Sequence, residues 1–113
     1  MERFRLRGPF FLEDSVIDSE VLPHRPGVFV LGGSGTFTPQ DARVGRSDTN
    51  VNNQLHVHVG SYGYFSYEYC SSAQDAFETE CGLFHDVMPH DNPVHPHRPL
   101  GTTWRCPRCN LLG

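Results

Sequence analysis

The run SSAQDAFETECGLFHDVM, residues 71–88, decides how the rest of the chain is arranged. Ala73, Ala76, Phe77, Glu80, Cys81, Phe84, Val87 and Met88 recur at helical spacing and predict one face of an amphipathic helix. Ser71 or Ser72 caps its start, with Gln74 and Asp75 placed for a capping-box-like entry. Glu80 is the exception on that face. A carboxylate in an apolar stripe must be paired or bound to a cation, because burying it alone is costly. Two accounts fit it: a half-exposed glutamate held by an arginine, or a metal-binding carboxylate at the edge of a cleft.

Composition narrows the classes. A chain of 113 residues suits one compact domain, and a hydrophobic content of 37% with Gly 11 and Pro 9 predicts a loop-rich fold that needs a staple. The net charge of −4 gives no global basic field to draw the chain onto nucleic acid. Every one of the 9 basic residues is arginine, a residue suited to bidentate phosphate contacts. No apolar run has the length of a membrane span, and the start lacks the apolar core of a signal peptide. Cysteines ending in a Cys-x-x-Cys, without a secretion signal, point to metal rather than to disulfides. The expectation is a soluble, cytoplasmic protein.

Upstream of the helix, residues 1–26 read as an N-terminal extension. Gly8-Pro9 breaks its first segment, and a short helix from Ser15 to Leu22 places Val16, Ile17 and Val21 inward to cover a sheet face. Gly27 to Leu31 is a buried strand by composition, and Ala42 to Arg46 returns as a second. The glycines between them lack the lysine–serine ending and the following helix of a phosphate loop, so a hairpin is expected. Asp48, Thr49 and Asn50 offer caps for a helix to about Val59, on which Gln54 and His58 share one side beside Leu55. Tyr64 to Cys70 alternates, with Phe65, Tyr67 and Tyr69 on one aromatic face, as in a third strand. The order over 27–88 is therefore β-β-α-β-α, an α+β class with three strands.

Residues 89–113 change character. The proline content precludes helix or sheet, yet the tail holds Cys106-Pro107-Arg108-Cys109 together with His90, His95 and His97. Such a knuckle presents two thiolates to zinc, half of a tetrahedral site. Cys81 and His85 lie one turn apart on the helix, so Cys81, His85, Cys106 and Cys109 make a set that staples the tail to it. His95 is the main rival for one position. A redox dithiol is the weaker account, because no thioredoxin-like strand–turn–helix surrounds the pair.

Taken in order, these motifs resemble the GIY-YIG nuclease family. The first stands as Gly27-Val28-Phe29 and the second as Arg43-Val44-Gly45. Gln54-Leu55-His56-Val57-His58 matches the helix pattern, and Ala76-Phe77-Glu78-Thr79-Glu80 matches the helix with the metal-binding glutamate. The likeness covers residues 26–88, and the tail resembles that of a bacterial branch ending in Cys-Pro-x-Cys. The resemblance implies a small three-stranded antiparallel sheet flanked by helices, and cleavage of DNA phosphodiesters with Glu80 holding Mg2+ or Mn2+ as Lewis acid. Three positions depart from the pattern. Phe29 lacks the first tyrosine's hydroxyl, Arg43 stands where the second tyrosine would act as base, and Gln54 replaces the catalytic arginine. Each lost preorganised contact typically removes ~2–4 kcal/mol of transition-state stabilisation, so weak or absent activity is expected. Arg46 is the replacement charge in a rescued site, with His56 or His58 as base. The contrasting expectation is a silent module that binds DNA or a protein partner through the same cleft.

Overall fold

The computed structural model describes residues 6–34, 37, 38 and 40–87, and in the tail 96, 99, 101–104, 106 and 107. The elements in order are β1 (Arg7–Phe11), α1 (Asp14–Glu20), β2 (Gly27–Gly32), β3 (Arg43–Ser47), α2 (Val51–Val57), β4 (Tyr64–Tyr69) and α3 (Ala73–Val87). This α+β fold is built on one antiparallel sheet of order β1-β4-β2-β3. No helix among the described residues is long and apolar enough to cross a membrane.

The sheet has four strands, not the expected three. The fourth is β1, which pairs along the outer edge of β4. Gly8 and Pro9 do not end this segment, because the register shifts between Arg7 and Phe10 and a bulge absorbs them. Proline is tolerated on an edge strand, where its missing donor is not needed. Gly8 has φ +114°, and a Cβ there would meet the Phe65 carbonyl and Ser66 Oγ at 2.9 Å. Beyond the bulge, the Phe10 ring sits 5.4 Å from Phe65 and extends the aromatic face of β4.

Strand β2 is buried along its whole length and lies between β3 and β4. The connection from β2 to β3 joins antiparallel neighbours, so the glycine-rich stretch is a hairpin loop as expected. The register pairs Phe29 with Gly45 and Val28 with Arg46, so the two motif triads meet only at their last residues. Side chains of paired residues share a face, and successive residues alternate between faces.

Helices α1 and α2 cover one face. Ile17, Val21, Val51 and Leu55 pack there against Phe29, Leu31, Phe65 and Tyr67. Helix α1 runs slightly N-terminal to its predicted span, and Val21 caps its end. Asn50 is the observed cap of α2, its side chain accepting from the Asn53 N–H. Helix α3 covers the opposite face, where Ala76, Leu83 and Val87 meet Val28, Val30, Ala42 and Val44. Each fully buried aliphatic or aromatic side chain contributes roughly 1.5–3 kcal/mol. The predicted stripe of α3 differs at one place: Leu83 is buried, whereas Phe84 is half-buried with its ring edge-on to His85. Met88 lies outside the described residues.

A third cluster forms along α3. Phe77, Cys81 and Cys106 are buried together, with Trp104 packed against them. Tail residues therefore contact α3, although the expected zinc staple is not visible as such.

Candidate functional site

Arg46 lies on the α3 face of β3, as Val28, its register partner, does. Glu80 occupies the row Ala76–Glu80–Leu83–Val87 that α3 turns toward the sheet. Arg46 Nη1 donates to Glu80 Oε1 at 2.7 Å and Nε donates to Asp48 Oδ1 at 2.8 Å. The guanidinium carbon stands 5.2 Å from the centre of the Phe77 ring. Burial opposes the charge on Arg46; hydrogen bonds and attraction from Asp48 and Glu80 outweigh it and raise its proton affinity. Glu80 is 8% exposed, so it is buried and arginine-paired, not half-exposed. A divalent ion bound at Glu80 Oε1 would compete with the guanidinium for that oxygen.

Phe29, Arg43 and His58 gather on the other face. The Phe29 ring lies over Gly45, where a Cβ would come within 2.4 Å of it, and its centre is 5.7 Å from that of His58. His58 is the C-cap of α2 and approaches Tyr62 at 6.3 Å between ring centres. Burial, and then the charge of Arg43, push its pKa below the usual histidine value. Tyr62 also lines an open groove of about 460 Å³ with Gly33, Gln40, Asp41 and Ser61. Gln54 is half-buried on α2.

The sheet thus divides the residues that sequence reasoning assembled into one site. Arg43 and Arg46 are three positions apart on one strand, so the pleat sends them to opposite faces. Glu80 and Arg46 meet; Phe29, Arg43 and His58 are gathered separately. That parity was available in the spacing itself.

His56 belongs to neither group. Its Nδ1 is 2.6 Å from Asp14 and its Nε2 is 2.8 Å from Asp18, both on α1. Asn52 reinforces this clasp through Asp18 at 3.3 Å and the Val21 carbonyl at 2.8 Å. Sequence reasoning missed the carboxylates, although Asp14 and Asp18 are spaced to share one helix face.

Of the expected zinc set, the structure brings Cys81 and Cys106 together in one buried cluster, with no disulfide between them. Burial and the neighbouring Cys106 push the Cys81 thiol well above its ordinary range. His85 is half-buried and lies against Phe84. Cys109, His95, His90 and His97 lie outside the described residues. Among the described residues, no group of three His, Cys, Asp or Glu side chains is arranged to hold a metal ion. Cys70 sits apart in the sheet core, its thiol pushed up to about 12 by burial and by Asp75.

Comparison of the chain with protein-family models, with curated proteins and with solved structures returns no match.

Proposed function

We propose that this chain is a GIY-YIG-like nuclease domain by descent in which metal-dependent cleavage of DNA phosphodiesters is silenced or strongly weakened. The observation that carries this reading is the 2.7 Å pair between Arg46 and Glu80. A metal ion and the guanidinium compete for the same carboxylate, and the guanidinium is tethered to it. The opposite face adds no strong chemistry of its own: Phe29 has no ionisable group, and Arg43 stays protonated near neutral pH. His58 is suited to accept a proton, but the sheet stands between it and the Glu80 face.

A second reading, from a different class, has the α2 face of β3 contact DNA or a protein partner without hydrolysis. Arg43 favours it, since it makes no ion pair within the described residues while Arg46 makes two. The net charge of −4 argues for a local contact and against nonspecific coating of DNA. Free buried thiols suit a reducing compartment such as the cytoplasm.

The test is cleavage of supercoiled plasmid with Mg2+ or Mn2+, comparing the native chain with Glu80→Ala. The expected result is no nicking by the native chain, or nicking only slightly faster than by the variant. Efficient cutting by the native chain that is lost in Glu80→Ala would overturn the proposal. Binding to labelled duplex then separates the partners: steep loss with added salt indicates phosphate contacts, whereas no binding at low salt indicates a protein.

A further inference from the structure

Asp41, just before β3, is fixed by its own turn. Oδ1 accepts from the Thr38 N–H at 3.2 Å and from the Thr38 hydroxyl at 2.9 Å, while the Asp41 N–H donates back to the Thr38 carbonyl at 3.2 Å. Oδ2 meets no donor among the described residues and lies 3.8 Å from where a Cβ on Gly33 would stand. A carboxylate locked by one oxygen presents the other in a set direction, so a ligand has little ordering cost to meet. Asp41 and Gly33 both line the open groove of about 460 Å³, a volume within the range of small-molecule sites. Its aromatic wall is Tyr62, in contact with the His58 ring, and Gln40 adds an amide that can both donate and accept. Arg43 follows Asp41 by two residues, so its backbone is no more than about 7 Å away, and its charge is felt at His58.

This set of groups is selective. Asp41 repels a plain anion, and Arg43 repels a plain amine. A neutral sugar suits Tyr62, Asp41 and Gln40 but leaves Arg43 unused. A nucleotide satisfies all four: a π-face for Tyr62, an amine for Asp41 Oδ2, a donor–acceptor edge for Gln40 and a phosphate for Arg43. We infer that this groove receives one unpaired nucleotide whose base carries an exocyclic amine, which rests on the second reading above and narrows its DNA contact to a base outside the duplex. In a duplex that amine is already engaged and both faces of the base are stacked, so a paired base cannot enter. Thymine is disfavoured, because its one imino donor sits between two carbonyl oxygens that the carboxylate repels. A free nucleotide and a nucleotide within a strand share this chemistry.

The test is NMR titration of the full chain with the deoxynucleoside monophosphates of adenine, cytosine, guanine and thymine, and with deoxyribose 5-phosphate. Fluorescence anisotropy then compares labelled blunt duplex with the same duplex carrying a single-stranded overhang. Shifts are expected at the amides of Gly33, Asp41 and Ser61, with thymidylate the weakest nucleotide and the overhang binding more tightly than the blunt duplex. Tyr62→Leu and Asp41→Asn should each weaken mononucleotide binding by about tenfold. A Cβ on Gly33 meets only Asp41, at 3.8 Å, so Gly33→Leu should fill the groove and abolish binding while circular dichroism shows the fold intact. Mononucleotide binding without any gain from the overhang would support the groove and assign it a free nucleotide. Binding that Gly33→Leu leaves unchanged, or deoxyribose 5-phosphate binding as tightly as a nucleotide, would overturn the inference. Duplex binding that the overhang does not strengthen, with no shift from any mononucleotide, would overturn it and leave the DNA reading standing. No binding of mononucleotide or DNA at low salt would overturn both.

Discussion

Arg46 of β3 and Glu80 of α3 meet at 2.7 Å between sheet and helix, with side chains only 13% and 10% exposed. Removing one member of such a pair strands the other charge where water cannot reach it, typically at 3–5 kcal/mol. Asp48 holds the outer end of the guanidinium and is 33% exposed, so some water reaches the group. Arg46→Met should therefore destabilise the chain by about 3 kcal/mol, toward the lower end of that range. The double variant Arg46→Met/Glu80→Leu should lose less than Arg46→Met alone, because no buried charge is left behind. Urea unfolding of the two variants measures this directly. A loss below about 1 kcal/mol for Arg46→Met would place the pair among ordinary surface contacts.

Gly45 is constrained by a side chain on the neighbouring strand. A Cβ at this position would approach Phe29 Cζ to 2.4 Å and Cε1 to 2.6 Å, and the ring is buried. Strand β2, which carries the ring, cannot yield easily, since it is hydrogen-bonded on both sides. Gly45→Ala should cost about 1–3 kcal/mol by overpacking. Adding Phe29→Leu should recover part of that loss, although Phe29→Leu alone is destabilising. Thermal unfolding of the three variants shows whether the pair is coupled; simple additivity would mean the ring does not rest on Gly45.

Features that depend on neighbouring residues were legible in the sequence. Helix α3 begins as expected: the Asp75 N–H donates to Ser72 Oγ at 3.0 Å, and its carboxylate accepts from the Ser71 N–H at 2.8 Å. The alternation of Phe65 and Tyr67 likewise gave the core face of β4. Strand β1 was not legible, because Gly8-Pro9 is a break by every local rule and only the edge of β4 makes it a bulge. Glu80 announced that it needed a cation. That the cation is Arg46 depends on the register of β3 against β2 and on how α3 lies over them, neither of which is encoded locally. The Asp14–His56–Asp18 clasp requires the docking of α1 on α2, again a tertiary fact.

That clasp is pH-dependent at both ends. The hydrogen bond with Asp14 is the largest influence on His56 and raises its pKa; burial opposes it, and Asp18 adds to the rise. The imidazolium's contribution is therefore complete below the unfolded value of about 6.5 and is lost as pH rises through the higher folded value. Asp18 is lowered by the His56 hydrogen bond and then by that from Asn52. Its contribution is present above the ordinary aspartate range and is lost as pH falls through the lowered folded value. NMR titration should give His56 a midpoint above about 6.5. The stability difference between the native chain and His56→Gln should shrink as pH rises past that midpoint. A midpoint at or below the ordinary value would mean that the carboxylates do not hold the ring in solution.

His58 should titrate in the opposite direction, and its behaviour bears on function. Burial is the larger cause of its lowered pKa and Arg43 the smaller. The neutral ring is the stabilised form: its contribution is complete above about 6.5 and is lost as pH falls through the lower folded value. Arg43→Gln removes the smaller cause, so the midpoint should move up yet stay below that of a free histidine. If the α2 face of β3 receives DNA, a phosphate drawn to Arg43 brings negative charge near the same imidazole. Duplex DNA at low salt should then raise the His58 midpoint in the native chain and have a smaller effect in Arg43→Gln. His56, already held by two carboxylates, serves as the internal reference. A His58 midpoint indifferent to DNA would remove this face as the phosphate contact and leave a protein partner as the better account of Arg43.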